Sequence, residues 1–312
     1  MTQQRPNIIC IMSDTFRARQ LGGYGGGDTL TPNLNVFARQ AAVFEAAYPE
    51  SLPTIPVRRA LFTGRRAYPF RNYRPLPWDI VYLPGWQPIS HQEDTLAERL
   101  AEAGYHTGFV SDTLPFFQPG MNFHRGFYQW EYVRGLQQDR WRSPLLATPE
   151  RMKKYRHREN PDRSFLENDV TYRHVANNVW IEKEEDHPTA RVYQWAMEFV
   201  QQNAGLQPFY LYLDTFPPHE PWEAPASFYQ KYADPSYSGE TIIHCYYGAA
   251  KNWYTEQEVR NIYAHYRGLC SLVDYWFGQF WKVLEQEKIL DNTLVVFLSD
   301  HGTNFPWENE EG

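Results

Sequence analysis

Cysteine is scarce. Cys10, Cys245 and Cys270 are odd in number and lack the short spacings of metal sites, so a disulfide scaffold is not indicated. Long apolar runs are missing as well. Ile8–Met12 and Leu294–Leu298 are typical of the longest, far short of the ~20 residues that span a bilayer. No block of lysine or arginine appears, and 30 basic against 37 acidic side chains leave a net charge of −7, which argues against a nucleic-acid binder held by phosphate contacts. The first twelve residues have no extended apolar core, and their short run opens with Arg5-Pro6-Asn7. They do not resemble a signal peptide, so the expectation is a cytoplasmic protein with no membrane or nucleic-acid partner. Nothing in the sequence sets an oligomeric state. The Gly-rich stretch Gly22–Gly27 lacks the GxGxxG order and no GKS or GKT follows it; it is read as a flexible loop. What is plentiful is aromatic: 17% of 312 residues, within a 42% hydrophobic fraction. Such rings either pack a core or line a pocket for a ring-bearing substrate.

Ile8–Met12, His106–Ser111, Pro208–Asp214 and Leu294–Leu298 read as buried strands. Helices are expected from Thr31-Pro32 onward, from Pro56 to Gly64, over Asp94–Ala103, and after the Thr255/Glu258 capping box. In the last of these Val259, Ile262, Tyr266, Leu269, Val273, Phe277 and Phe280 form the apolar stripe. Alternating strands and helices predict an α/β fold, a mostly parallel sheet with helices on both faces. One domain spans residues 1–312, with irregular insertions near 65–92 and 114–187. Ligands of such sheets bind beyond the carboxyl ends of the strands. Four ends carry polar residues: Asp14-Thr15, Asp112-Thr113, Asp214 with His219, and Asp300-His301.

Asp14 with Asp300-His301 offers carboxylate and imidazole ligands for a divalent cation, although one Asp at a strand end is as readily a turn former. Thr54 stands just before the helix opened by Pro56, where free N–H groups and the helix dipole favour an anion. A threonine there is either a helix cap or, beside a cation, a nucleophile. Arg58, one turn along, is placed to steady negative charge.

Several motifs resemble the sulfatase family of the alkaline phosphatase superfamily. Arg5-Pro6-Asn7-Ile8-Ile9, Asp14 and Thr31-Pro32-Asn33-Leu34 are similar to its opening. Thr54-Ile55-Pro56-Val57-Arg58 through Thr63-Gly64 matches its Cys/Ser-x-Pro-x-Arg signature except at the first position. Gly104-Tyr105-His106-Thr107, the loop His219-Glu220-Pro221-Trp222, then Tyr263, Asp274 and Gly278, and finally Asn292–Val296 and Ser299–Gly302 follow in the family's order. The resemblance implies that Asp14, Asp300 and His301 bind one divalent metal, Ca²⁺ for sulfatase-like chemistry, Mn²⁺ or Zn²⁺ for phosphoesterase-like chemistry. His301 in place of the usual Asn tilts toward the latter pair. It places Thr54 as nucleophile, Arg58 as its support and His219 at the ester or leaving group. Thr15 stands where a second Asp is usual, Asp214 is either a second-metal ligand or a structural carboxylate, and His124 is a candidate for a missing sulfate-binding His. The chain ends shortly after Asp300-His301, so the family's C-terminal subdomain is expected to be missing.

Family sulfatases convert the signature Cys or Ser into formylglycine. Thr54 cannot yield that aldehyde, because oxidising a secondary alcohol gives a ketone. A plain threonine alkoxide suits phosphate or phosphonate esters, as in a phosphodiesterase or phosphonate monoester hydrolase, while the family leans toward sulfate. The substrate expected is a small-molecule or glycan-type anionic ester. The rival reading is a silent sulfatase-fold protein that binds an anionic ligand or partner.

Overall fold

The computed structural model describes residues 5–67, 85–137, 139–157, 169–246 and 249–305. Five parallel strands form one sheet: β1 (Asn7–Ser13), β2 (His106–Ser111), β3 (Gln129–Tyr132), β4 (Phe209–Thr215) and β5 (Thr293–Leu298). Their spatial order is β3-β2-β4-β1-β5. The two-residue period of a strand divides the apolar residues between two cores. Ile9 and Ile11 of β1, with Phe209, Leu211 and Leu213 of β4, enter one cluster; Cys10, Met12, Tyr210 and Tyr212 enter the other.

Helices cover both faces, as the alternating pattern predicts. They are α1 (Pro32–Ala38), α2 (Thr54–Thr63), α3 (Leu96–Glu102), α4 (Val170–Asn177), α5 (Pro188–Asn203) and α6 (Glu256–Gln286). Leu34 of α1, the buried side of α5 and that of α6 build the first core, while Ile55 and Phe62 of α2 and Ala97 of α3 join the second. The Thr255/Glu258 capping box forms at the start of α6, and a second box, Thr95/Glu98, starts α3 at Leu96 rather than Asp94. Helix α6 also holds α1 in place. Asp274 accepts the Leu34 N–H at 2.7 Å and the Asn33 side-chain amide at 2.9 Å, satisfying first-turn groups that have no intrahelical partner. The two helices approach closely at Gly278, where a Cβ would lie 2.5 Å from Asn33 Cγ.

Four local expectations change. Helix α2 begins at Thr54, not Pro56; first-turn N–H groups donate to nothing inside a helix, so a proline in that turn removes no bond. Gly22–Tyr24 forms a 3₁₀ turn rather than a loose loop, and a Cβ on Gly26 would lie 1.9 Å from the Arg19 carbonyl oxygen. The stretch 114–187 is not only insertion, since it supplies edge strand β3 and helix α4. Within 65–92, residues 68–84 lie outside the described residues, and Trp86 and Ile89 are buried in the second core. No helix among the described residues is long and apolar enough to cross a membrane.

Two buried histidines make the fold acid-sensitive. Burial, and for His187 the neighbouring His174, pushes the imidazole of His187 down to about 3 and that of His265 down to about 4. In the unfolded chain both protonate near 6.5, so their stabilisation is complete above that pH and is lost as pH falls toward the folded values. At pH 5 each is expected to withdraw on the order of 2 kcal/mol relative to neutral pH. Urea midpoints at pH 7.5 and pH 5, compared with a His187→Asn/His265→Asn double variant, measure this. An unchanged pH dependence in the double variant would count against it.

Candidate active site

Parallel neighbours bring their carboxyl ends together. Asp14 follows β1, Asp300 follows β5 two residues past its end, and Asp214 lies near the end of β4, paired with Met12. All three carboxylates are buried. Arg58, from the second turn of α2, enters among them and is itself fully buried. Its Nε and Nη2 grip Asp214 at 2.7 and 2.9 Å. Its Nη1 reaches Asp300 Oδ2 at 2.5 Å, Asp14 Oδ2 at 3.0 Å and the Thr54 carbonyl oxygen at 3.3 Å. The guanidinium thereby fixes the start of α2, with buried Thr54 in its first turn, against the acidic cluster.

Asp214 is the more fully occupied carboxylate. Besides Arg58 it accepts from Thr113 Oγ1 at 2.9 Å and from the Tyr212 hydroxyl at 2.8 Å. Four donors on two oxygens leave it a positioning role rather than a second-metal one. Thr113 belongs to the expected polar strand end Asp112-Thr113, whereas Tyr212 was not expected at the site; the signal available for it is its i, i+2 relation to Asp214, which puts both on one side of β4.

The other carboxylates are differently placed. Asp300 Oδ1 accepts the Thr15 and His301 N–H groups at 3.0 and 2.7 Å. Asp14 Oδ2 has only the Arg58 ion pair and its Oδ1 no donor among the described residues, while His301 Nε2, 3.5 Å from Asp300 Oδ2 and 3.9 Å from Asp14 Oδ1, and Thr15 Oγ1 make no hydrogen bond. His301 Nδ1 donates to the Gly302 carbonyl oxygen at 2.9 Å, which leaves the Nε2 lone pair free, the tautomer a metal-ligating imidazole needs. Donor atoms of Asp14, Asp300 and His301 all lie within 4.8 Å of one another. Thr15 adopts a left-handed φ of 55°, a strained conformation for a β-branched residue.

Electrostatics in this cluster are unbalanced. Burial and the Asp300 charge hold the Asp14 carboxyl well above the usual carboxylate range, whereas at Asp300 the Arg58 charge leads the groups that outweigh burial and lower it. With all three carboxyl groups ionised against one guanidinium the cluster would carry two negative charges, the complement of one divalent cation. Asp14 Oδ1, which has no donor, and the Nε2 lone pair of His301 fit such an ion. Asp112, next to the cluster, accepts the Phe216 N–H at 2.6 Å, and burial raises its carboxyl well above the usual range.

Two candidate histidines stand apart from these ligands. His219 lies on the loop leaving β4, its ring 4.2 Å from that of Phe216 and its Nδ1 2.8 Å from the Glu220 carbonyl oxygen. The structure does not bring His124 to the cluster. It is exposed, precedes the amino-terminal end of β3 and packs against Trp130, because the turn 122–127 crosses the opposite edge of the sheet.

A family profile described as Sulfatase matches residues 6–307. The chain belongs to the sulfatase family. The arylsulfatase of Clostridium perfringens is 23% identical over 319 residues, 96% of this chain and 63% of its own length. Among solved structures, this sulfatase-family chain is similar to the phosphonate monoester hydrolase of Agrobacterium radiobacter, with TM-score 0.63, 19% identity, and 96% and 63% of the two chains covered. It is also similar to Ps i-CgsB in complex with k-i-k-neocarrahexaose, with TM-score 0.61, 23% identity, and 97% and 61% covered. The sulfatase-family chain thus spans less than two thirds of the length of these relatives. Membership implies a divalent metal, and the free donors of Asp14, Asp300 and His301 are a set that fits one.

Proposed function

We propose that this chain is the core of a metal-dependent ester hydrolase that cleaves sulfate, phosphate or phosphonate esters, with Thr54 as nucleophile. The observation that carries the reading is the donor set of Asp14, Asp300 and His301, joined to the start of the Thr54 helix through Arg58 Nη1, which reaches Asp14, Asp300 and the Thr54 carbonyl oxygen alike. Asp14, Asp300 and His301 would hold the cation, which when bound supplies positive charge for the ester oxygens. The Thr54 hydroxyl loses its proton to water, its Oγ forms a bond to phosphorus or sulfur, the bond to the alcohol oxygen breaks, and His219 donates a proton to that oxygen. Water then cleaves the threonine ester. Arg58 holds the start of α2 so that the Thr54 hydroxyl meets the reacting centre. The secondary alcohol of Thr54 favours phosphate and phosphonate over sulfate, and His301 favours Mn²⁺ or Zn²⁺ over Ca²⁺. Glycan esters are the proposed substrate class, since a relative of the same fold holds a carrageenan oligosaccharide.

The test is turnover of aryl sulfate, phosphate monoester, phosphodiester and phosphonate ester with each metal in turn, plus mass spectrometry of the peptide holding Thr54. Trapped phosphate or sulfate on Thr54 supports the reading; metal binding without turnover of any ester leaves the silent, anion-binding alternative. That second reading is favoured by one observation, the Arg58 guanidinium seated against Asp14 and Asp300. Asp14→Asn separates ligand from structural roles. In chelated protein it is expected to raise stability by about 1 kcal/mol, because one of three buried carboxylates that crowd a single guanidinium is replaced by a neutral amide. The same variant should lose the rise in Tm that Mn²⁺ or Ca²⁺ gives the wild type. A lower Tm in the chelated variant would contradict the assignment.

A further inference from the structure

A second cavity of about 1050 Å³ lies apart from the carboxylate cluster, walled in part by His174, His187, Glu223, Tyr229 and His265. That volume is in the range of ligand pockets. Its wall at Glu223 is four residues beyond His219, at most ~14 Å of chain.

Two of its imidazoles are locked in one tautomer. His187 is the N-cap of α5, and its Nδ1 accepts the Thr189 N–H at 3.3 Å. His265 Nδ1 accepts the Ala224 N–H at 3.3 Å, and the Tyr229 ring lies flat on it at 3.9 Å and 12°. A ring nitrogen that accepts carries no proton, so each ring bears its proton on Nε2. These side chains are only 7% and 6% exposed, and no hydrogen bond among the described residues uses either Nε2–H. An N-cap needs no more than a Ser, Thr, Asp or Asn oxygen. What the imidazole of His187 adds is a second donor at the far end of the ring.

Of the remaining polar lining, Glu223 is satisfied, while Asn178 Oδ1 and Glu184 Oε1 are acceptors without a hydrogen-bond donor among the described residues, open to a ligand's hydroxyl groups. Glu223 accepts from His174 Nε2 at 2.9 Å, from Lys154 at 2.8 Å and from the Tyr155 hydroxyl at 2.5 Å. Four basic and four acidic side chains line the cavity, so no net charge selects an anion. A neutral ligand rich in oxygen acceptors fits: its hydroxyl and ring oxygens accept from the two Nε2–H groups, and its C–H face rests on Val175, Val179 and Ala224. We propose that this cavity binds neutral sugar residues linked to the esterified one, with His187 and His265 donating to their oxygens. Its role as a subsite rests on the ester-hydrolase reading; the binding itself does not.

Calorimetry and saturation-transfer NMR with neutral tri- to hexasaccharides of galactose and of N-acetylglucosamine test the binding directly, with inorganic sulfate as the charged control. His187→Asn and His265→Asn keep an acceptor near Nδ1 and delete the Nε2 donor. Ser227→Trp fills the cavity from an exposed lining position. The wild type is expected to bind at least one neutral series. Each variant should weaken that binding by about fivefold or more, the equivalent of one lost hydrogen bond, and sulfate should not compete. If the enzyme turns over esters, the variants should raise KM for an oligosaccharide ester and leave kcat/KM for an aryl ester unchanged. The proposal falls if no neutral saccharide binds the wild type, or if Ser227→Trp, as a folded protein, binds as well as the wild type. Binding needs no turnover, so failure of the hydrolase reading leaves this result readable.

Discussion

Arg58→Met is expected to destabilise the metal-free protein by about 3–5 kcal/mol. Among the described residues, Arg58 is the only Lys or Arg in an ion pair with Asp14, Asp214 or Asp300, and all four side chains are buried. Methionine of similar length fills the space and leaves three carboxyl groups without a counter-charge. Removing one partner of a buried ion pair is far more damaging than replacing the set with apolar groups. The loss should be greatest near neutral pH and shrink near pH 4, where the carboxyl groups take up protons instead. Urea unfolding with chelator present measures it, and a change below about 1 kcal/mol would show that the cluster tolerates its own charge. Adding Asp214→Asn to the same chain should recover part of the loss, because contacting residues are not additive.

Thr54→Ala should lower kcat by at least about 10³-fold, the scale on which removal of a covalent nucleophile is felt. The substitution is clean: no hydrogen bond among the described residues uses the Thr54 hydroxyl, and the Arg58 contact is to the backbone carbonyl, which alanine keeps. Melting temperature and metal-dependent stabilisation should therefore match the wild type. Turnover that persists in Thr54→Ala would move the attack to another group, water included.

The sheet was legible because its strands end in chemistry. Ile8–Met12 followed by Ser13-Asp14, and Leu294–Leu298 followed by Ser299-Asp300-His301, declare both a buried strand and a polar exit, and parallel pairing of β1 with β5 does the rest. The edge strand β3 was not legible. Gln129–Tyr132 is half exposed, and its four residues, Gln-Trp-Glu-Tyr, are too few for their alternation to stand out from the aperiodic stretch around them. Helix α5 has ordinary helical spacing in Val192, Tyr193, Ala196, Phe199 and Val200, but the acidic stretch Glu182–Asp186 before it conceals where it starts. At the site, Asp14, Asp300 and His301 could be named from the strand ends as a candidate ligand set. The contact of Arg58 with Asp14, Asp214 and Asp300 could not, because it depends on how α2 is rotated about its axis. The donor set of the second cavity is likewise invisible in one dimension. His174, His187, Glu223 and His265 come from separate elements, and each alone reads as an ordinary core or surface residue.

The position of β1 bears on the order in which the protein is made. Of the five described strands, β1 is synthesised before the others, yet it lies inside the sheet, between β4 and β5. Its Asn7 side chain bonds partners 202 and 286 residues away. Until those segments leave the ribosome, β1 lacks both of the strands it pairs with. Contacts of such sequence separation close slowly, and incomplete chains with exposed strand edges aggregate. Chaperone supply and a slow rate of synthesis should therefore govern the yield of folded protein more than any single side-chain contact in the finished sheet.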